Sequence, residues 1–281
     1  MTVSRRAVLA SILLLAAPGR AGDAPLRVSM IPTTDPSRML RDAEPLVKGL
    51  EKATGAKVSL TVPLNYAAVV EALVQGQVDV AHLGGFTFVQ ARERAGAVPL
   101  VQRERDRAFH SKFITARPEV RSLADLKGRR FAFGDVNSTS GHLMPAYFMR
   151  REGVDPAVVD QAIYTGGHDA TALAVAEGRV DAGALDEAVW ERLTTERKID
   201  ASRVRVFWTT PAFRDYVWVA RKELDPALAR KVARFFLALD ASRAEDRPIL
   251  ELLSAGGRYV AVDAAAYEPL RQAAIREGLL R

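Results

Sequence analysis

The chain has no cysteine among its 281 residues. That excludes disulfide stapling, thiolate metal ligands and cysteine nucleophiles, and leaves core packing as the source of stability. It also excludes a lipid anchor carried on cysteine. Histidine is scarce, with four residues: His82, His110, His142 and His168. None stands four positions from another or in a His-Glu-x-x-His pattern, so no metal site and no cofactor are expected. No Walker loop and no Gly-x-Ser-x-Gly elbow occurs. No low-complexity tract is present, and no apolar run approaches the roughly 20 residues needed to span a bilayer. Basic residues are interleaved with acids, as in Arg103-Glu104-Arg105-Asp106-Arg107. Such a pattern reads as solvated surface and excludes a nucleic-acid stripe.

What is present fits a globular protein of one large or two medium domains, with 48% hydrophobic and 26% charged residues. Residues 1–21 read as a cleavable export signal. Ser4-Arg5-Arg6 supplies the positive region, Ala7 to Ala17 the apolar stretch, and Pro18-Gly19-Arg20-Ala21 the small residues before cleavage after Ala21. The Arg5-Arg6 pair is compatible with both the twin-arginine route and general export. Cleavage would leave 37 basic against 34 acidic residues, a mildly positive field suited to drawing in an anion. A soluble exported protein is expected.

The stretch Phe133-Gly134-Asp135-Val136-Asn137-Ser138-Thr139-Ser140-Gly141-His142 carries the most chemistry. Arg130 to Phe133 reads as a buried strand, and an apolar helical stretch begins at Leu143. Ser138, Thr139 and Ser140 therefore fall where a helix starts. Unpaired backbone N–H groups and a positive dipole end favour an anion there, and three hydroxyls add donors. One such cluster alone would be an ordinary N-cap. The rest of the chain argues for more.

The sequence repeats itself. Val70 to Ala81, ending Gly76-Gln77-Val78-Asp79-Val80-Ala81, matches Ala172 to Gly183, ending Gly178-Arg179-Val180-Asp181-Ala182-Gly183, at an offset of 102. Near the same offset, the strand Leu26 to Met30 meets the strand at Arg130, and Val58 to Val62 meets Ala162 to Thr165. Tyr66 meets His168, each at a helix start, and the strand ends Gly84 and Asp186 coincide. The unit is β-loop-α-β-α-β, so two α/β lobes are expected. In open parallel sheets ligands bind beyond the carboxyl ends of the strands, which is where these polar positions lie. Phe109 to Ala116 leads out of the first lobe and Tyr216 to Ala220 returns to it. Amphipathic helices are expected over Ala227 to Ala241, after an Asp225-Pro226 start, and over Ala264 to Leu279.

Three motifs carry a family resemblance. Gly134-Asp135-Val136-Asn137-Ser138-Thr139-Ser140-Gly141 resembles the G-D-x-N-S-T-S-G signature of the periplasmic phosphonate-, phosphite- and phosphate-binding proteins of ABC transporters. Gly167-His168-Asp169-Ala170-Thr171-Ala172-Leu173-Ala174-Val175 is similar to that family's G-H-x-x-x-A-L-A-V. Asn65-Tyr66-Ala67-Ala68-Val69-Val70-Glu71-Ala72 is similar to its D-Y-x-x-V-I-E-A. The resemblance implies an α/β, two-lobed periplasmic binding protein fold of type II, with two hinge crossovers and a mixed sheet flanked by helices in each lobe. The lobes would comprise residues 22–112 with 213–281, and residues 113–212.

The same resemblance implies that Ser138, Thr139 and Ser140 hold the ligand's oxygens, with Tyr66 and His168 reaching the same atoms. Asp215 matches a position that contacts the ligand's far end or a protonated oxygen, and Asp186 lies near a carboxylate that reads the substituent. Phe109-His110-Ser111 departs from the family's aromatic-x-Ser step, which often carries Tyr; Phe109 lacks that hydroxyl and His110 is its candidate replacement. Glu187 and Ala188 fall where the family's ammonium-binding carboxylate is sought. That weakens an aminoalkyl phosphonate and leaves phosphate, phosphite, methylphosphonate or another tetrahedral oxyanion. The partners implied are a small oxyanion and an ABC transporter permease, or alternatively a sensor kinase, for a monomeric periplasmic protein. A phosphoester hydrolase built on Ser138 or Ser140, His168 and Asp186 is the reading from a different class.

Overall fold

The computed structural model describes residues 24–159 and 161–280. The expected signal over residues 1–21, and its cleavage point, lie outside the described residues. Among the described residues eleven strands are formed: β1 Leu26–Met30, β2 Val58–Thr61, β3 Val80–Leu83, β4 Val98–Arg103, β5 Ser111–Thr115, β6 Arg130–Phe133, β7 Gln161–Tyr164, β8 Ala182–Asp186, β9 Arg205–Thr209, β10 Val217–Ala220 and β11 Tyr259–Ala261. They make two sheets, ordered β11-β4-β10-β3-β1-β2 and β7-β6-β8-β5-β9.

The two sheets share one plan. In the first, β1 runs parallel to β2 and β3, and β10 is antiparallel to β3 and β4. In the second, β6 runs parallel to β7 and β8, and β5 is antiparallel to β8 and β9. Each lobe thus takes one strand next to its central parallel pair from the chain crossing between lobes. The strand β5 follows the first lobe's four opening strands, and β10 returns after the second lobe is complete.

The repeated Gly-x-Val-Asp sequence has a structural cause in both lobes. Gly76 and Gly178 follow helices Tyr66–Val74 and His168–Ala176 with φ of +67° and +71°. A side chain is disfavoured in that left-handed conformation, which ends a helix. The aspartate three residues later then locks the incoming strand. Asp79 Oδ2 accepts the Arg27 N–H at 2.9 Å, and Asp181 Oδ2 accepts the Arg130 N–H at 3.0 Å. Each aspartate also pairs with its arginine's guanidinium.

Packing is separate in the sheets' outer layers and shared beside the gap between lobes. Trp218 stacks on Phe236 at 4.5 Å within the first lobe, while Phe113 and Phe131 meet at 5.8 Å in the second. Leu143, Met144 and Phe148 of the second lobe join the same buried cluster as Tyr66, Phe86 and Phe109 of the first.

Some element ends differ from the sequence expectation. The helical stretch expected from Leu143 begins at Thr139, as a wide π-type turn over Thr139–Leu143 that continues as helix Met144–Arg151. Ser138 caps this turn through its side chain, which accepts the Gly141 N–H at 2.9 Å. The expected Ala227–Ala241 helix spans Pro226–Leu237 instead, with Asp225 Oδ1 accepting the Ala227 N–H. The last helix is a 3-10 turn at Ala264–Tyr267 followed by an α-helix at Glu268–Arg276.

Candidate functional site

Five strand-to-helix junctions face the gap between lobes. From the first lobe come the starts of helices Tyr66–Val74 and Gly85–Ala95; from the second, the Thr139 turn and helices His168–Ala176 and Glu187–Thr195. The caps are local. Asn65 accepts the Ala68 N–H at 2.9 Å, and Asp186 accepts the Val189 N–H at 2.8 Å. Helix starts leave backbone N–H groups without helical partners, and here those of Tyr66, Gly85 and Phe86 are taken up by Asp135, Asp215 and Thr139 around the gap.

His168 is the hub. It has no exposed surface, and its Nε2 lies 3.4 Å from the Tyr66 hydroxyl and 3.3 Å from the Tyr216 hydroxyl, both on the opposite lobe. Its Nδ1 receives the backbone N–H of Asp186 at 3.3 Å, and its own backbone N–H donates to Thr33 O at 3.1 Å. An Nδ1 that accepts places the ring proton on Nε2. Burial pushes the imidazole's pKa down, opposed by the charges of Asp186, Asp169 and Asp135. The ring is thus a neutral Nε2–H donor. Burial raises the Tyr66 and Tyr216 hydroxyls well above their ordinary range, so both keep their protons.

Ser138, Thr139 and Ser140 are all buried. Thr139 Oγ1 accepts the Phe86 N–H across the gap at 2.9 Å, which leaves the threonine's own proton to donate elsewhere. Ser140 Oγ has no partner, and neither has Asp215 Oδ2. The other carboxyl oxygen, Asp215 Oδ1, accepts the Gly85 N–H at 3.1 Å. Burial, with the nearby charges of Asp106 and Asp186, pushes the Asp215 carboxyl up to about 8. The Ser140 hydroxyl lies close enough to draw the Asp215 carboxyl's pKa down, against the burial that raises it, without forming a close hydrogen bond to it. Two neighbouring buried groups so loosely satisfied mark a place suited to a further hydrogen-bonding group.

Close backbone approach is required here. A Cβ at Gly84 would stand 2.9 Å from Thr139 Oγ1 and 3.3 Å from Asp215 Oδ1, and one at Gly141 would stand 3.0 Å from His168 Cε1.

The structure brings Tyr66, Ser138, Thr139, Ser140, His168, Asp186 and Asp215 together. It does not bring His110 among them. His110 is partly exposed, and its Nδ1 lies 3.2 Å from Glu187 Oε2, a carboxylate that also faces Lys112. Phe109 is fully buried, backbone-paired with Phe213, and its ring stands edge-on to Tyr216 at 5.8 Å. Tyr216, which the sequence reading placed only in a strand, brings a hydroxyl to His168 beside the Phe109 ring. Its signal was its place directly after Asp215. The amides of Gly85 and Phe86 were missed as well, because backbone donors leave no mark in residue type. Among the described residues, no group of three or more His, Asp or Glu side chains is placed to hold a metal ion.

A cavity of about 20 Å³ adjoins this cluster, bounded by His82, Arg103, Asp186 and Tyr216 together with Met30 and Met39. The Arg103 guanidinium lies 4.5 Å over the Tyr216 ring and is paired with the buried Asp106. His82 is stacked on Tyr216 at 5.3 Å, and burial takes its pKa down to about 3, so it is a neutral packed residue.

Comparison with known proteins agrees with this architecture. The profile of the family described as "ABC transporter, phosphonate, periplasmic substrate-binding protein" matches residues 28–267. The chain is 30% identical over 261 residues to the "Probable ABC transporter phosphite binding protein PhnD1" of Prochlorococcus marinus, covering 88% of each. It is 32% identical over 232 residues to the phosphate-import protein PhnD of Mycolicibacterium smegmatis, covering 77% of this chain and 72% of that one. The crystal structure of the Prochlorococcus marinus PhnD1 in complex with methylphosphonate superposes with a TM-score of 0.85 at 29% identity, covering 91% of this chain and 98% of the other. The chain belongs to the periplasmic substrate-binding proteins of phosphonate ABC transporters.

Proposed function

We propose that this protein captures a small phosphorus oxyanion (phosphite, phosphate or methylphosphonate) between its lobes and delivers it to the permease of an ABC importer. The observation that carries this reading is the meeting of Tyr66 and His168 from opposite lobes beside two unpartnered buried groups, Ser140 Oγ and Asp215 Oδ2. An oxyanion there would accept from Nε2–H of His168, from the hydroxyls of Tyr66, Tyr216, Thr139 and Ser140, and from Asp215, which is neutral below about pH 8. Ser138 holds the Gly141 amide and so shapes the turn that presents the other two hydroxyls. The donors are uncharged, so selectivity would come from geometry and from the proton that Asp215 supplies.

The adjoining cavity of about 20 Å³ has room for roughly one water-sized group and shares Thr33, Met39, Ala188 and Val189 with a larger one of about 980 Å³. A small substituent on phosphorus is the reading we favour, because no carboxylate is matched to an aminoalkyl ammonium. Names of relatives point the same way, toward phosphite, phosphate and methylphosphonate.

We take residues 22–112 with 213–281 as one lobe and 113–212 as the other, the crossover falling in β5, whose Ser111 and Lys112 already pair with strands of the second sheet, in a monomer exported by a cleavable signal. Catalysis finds little support in the geometry. A serine triad needs the aspartate carboxylate on His168 Nδ1, yet that atom receives the Asp186 backbone N–H while the Asp186 carboxylate caps Val189. The His168 Nε2 faces two tyrosine hydroxyls.

A thermal-shift series tests the reading, since a ligand that binds only the folded state raises the melting temperature with concentration. Phosphite, phosphate and methylphosphonate are compared with 2-aminoethylphosphonate and sulfate. A rise with at least one of the first three, and none with 2-aminoethylphosphonate, is expected. No rise with any phosphorus oxyanion would refute it.

A further inference from the structure

Asp135 and Asn137 stand in the same motif as Ser138, Thr139 and Ser140, and the side chains of both reach the other lobe. Asp135 Oδ2 accepts the Tyr66 N–H at 3.3 Å, while its Oδ1 accepts the Asn137 N–H at 2.7 Å within the turn. Asn137 Oδ1 accepts from Gln90 Nε2 at 3.0 Å. Thr139 continues the series by accepting the Phe86 N–H. Residues 135, 137 and 139 of one turn thus meet the starts of two first-lobe helices and, through Gln90, the body of the second. Sequence separations of 69, 47 and 53 residues show that none of these bonds arises from local folding.

We propose that Asp135 and Asn137 are positioning residues of a closure latch: they set how much of the closed form exists without ligand, and so how slowly ligand leaves. The proposal rests on the reading that the oxyanion is captured by lobe closure. Two features support it. The bonds cross the gap, so they exist only when the lobes meet. They also act on the loop that carries Thr139 and Ser140, so closing the lobes and placing the hydroxyls become one event. A ligand shifts such an equilibrium only by its preference for one state, and contacts already present in that state set the starting point. The Asn137–Gln90 pair is partly exposed and lies apart from the cluster around His168, which makes it the part of the latch that can be altered alone.

The chain's lack of cysteine allows clean labelling. Dyes placed at Lys52→Cys in the first lobe and Glu177→Cys in the second report closure by energy transfer in single molecules. Gln90→Ala, Asn137→Ala, the double variant and Asn137→Asp are compared, first without ligand and then with phosphite. Loss of one neutral hydrogen bond predicts a fall of roughly two- to tenfold in the closed-to-open ratio. The same factor should appear in phosphite dissociation, with association little changed. The double variant should match the single ones, since both remove the same bond. Asn137→Asp, which keeps an acceptor, should recover most of the effect. Unchanged closure in all variants, or additive effects in the double, would overturn the latch. The ligand-free measurement decides it independently: if phosphite fails to bind at all, the functional reading falls while the closure ratios still test the latch.

Discussion

Tyr66 and His168 lie 102 positions apart, open matching helices in two lobes of the same plan, and meet across the gap with hydroxyl and Nε2 3.4 Å apart. Equivalent positions of the repeated unit thus face each other across the gap.

His168→Ala should weaken oxyanion binding at least about tenfold, the equivalent of one hydrogen bond to a charged group. The His168 backbone bond to Thr33 O survives the change, so the folded state should be retained. Wild-type binding should also vary little between pH 6.5 and 7.5 on account of this ring, because burial lowers its pKa below the ordinary 6.5. Calorimetry across that range checks both; a steep loss of affinity with rising pH that disappears in the variant would mean a cationic histidine.

Ser140→Ala and Thr139→Ala should differ in kind. Ser140 Oγ forms no close hydrogen bond and lies beside the Asp215 carboxyl, so its removal should change ligand-free stability little while reducing affinity about tenfold. Thr139 Oγ1 holds the Phe86 amide, so its removal strands a buried donor and should cost about 1–3 kcal/mol of stability in the closed form as well as affinity. Thr139→Ser should restore both. Chemical denaturation with and without ligand separates the two effects.

Asp215 gives a pH signature of defined sign. The carboxyl binds its proton up to about pH 8 in the folded protein, against an ordinary value of 3.8. Between those values the folded state holds a proton that the unfolded state does not. This group's contribution is therefore complete below the ordinary value and is lost as pH rises through the folded one. Asp215→Asn should flatten that fall in melting temperature. Affinity for a phosphonate dianion should decline above about pH 8 in the wild type, as a second negative charge forms beside the ligand, and less so in the variant.

Gly84→Val tests the close approach of the lobes. A Cβ there stands 2.9 Å from Thr139 Oγ1, so the added methyls should hold the lobes apart and weaken binding by more than tenfold. Small-angle scattering should show a larger radius of gyration than wild type in saturating ligand.

The repeat made the plan of the fold legible. Gly76 and Gly178 end helices for a backbone reason, and Asp79 and Asp181 lock strands for an electrostatic one, so both pairs stay visible in the sequence. Tyr66, the Ser138–Ser140 run and His168 were legible through helix-start position and motif. What was hidden depends on distant partners. His110 faces Glu187, which stands 77 residues away and draws it from the cluster. Tyr216 entered the site because Phe109 and Arg103 pack its ring, a three-way contact that no spacing announces. The wide turn at Thr139 escaped detection because its register depends on Ser138 capping Gly141 and on Phe86 from the other lobe.

A crystal structure of the protein with methylphosphonate tests the central claim most directly. Phosphonate oxygens are expected at about 3 Å from His168 Nε2, Ser140 Oγ and Asp215 Oδ2, with the methyl group toward His82 and Asp186. Methylphosphonate bound outside the gap between lobes, or bound there with Tyr66 and His168 both out of hydrogen-bonding reach, would contradict it.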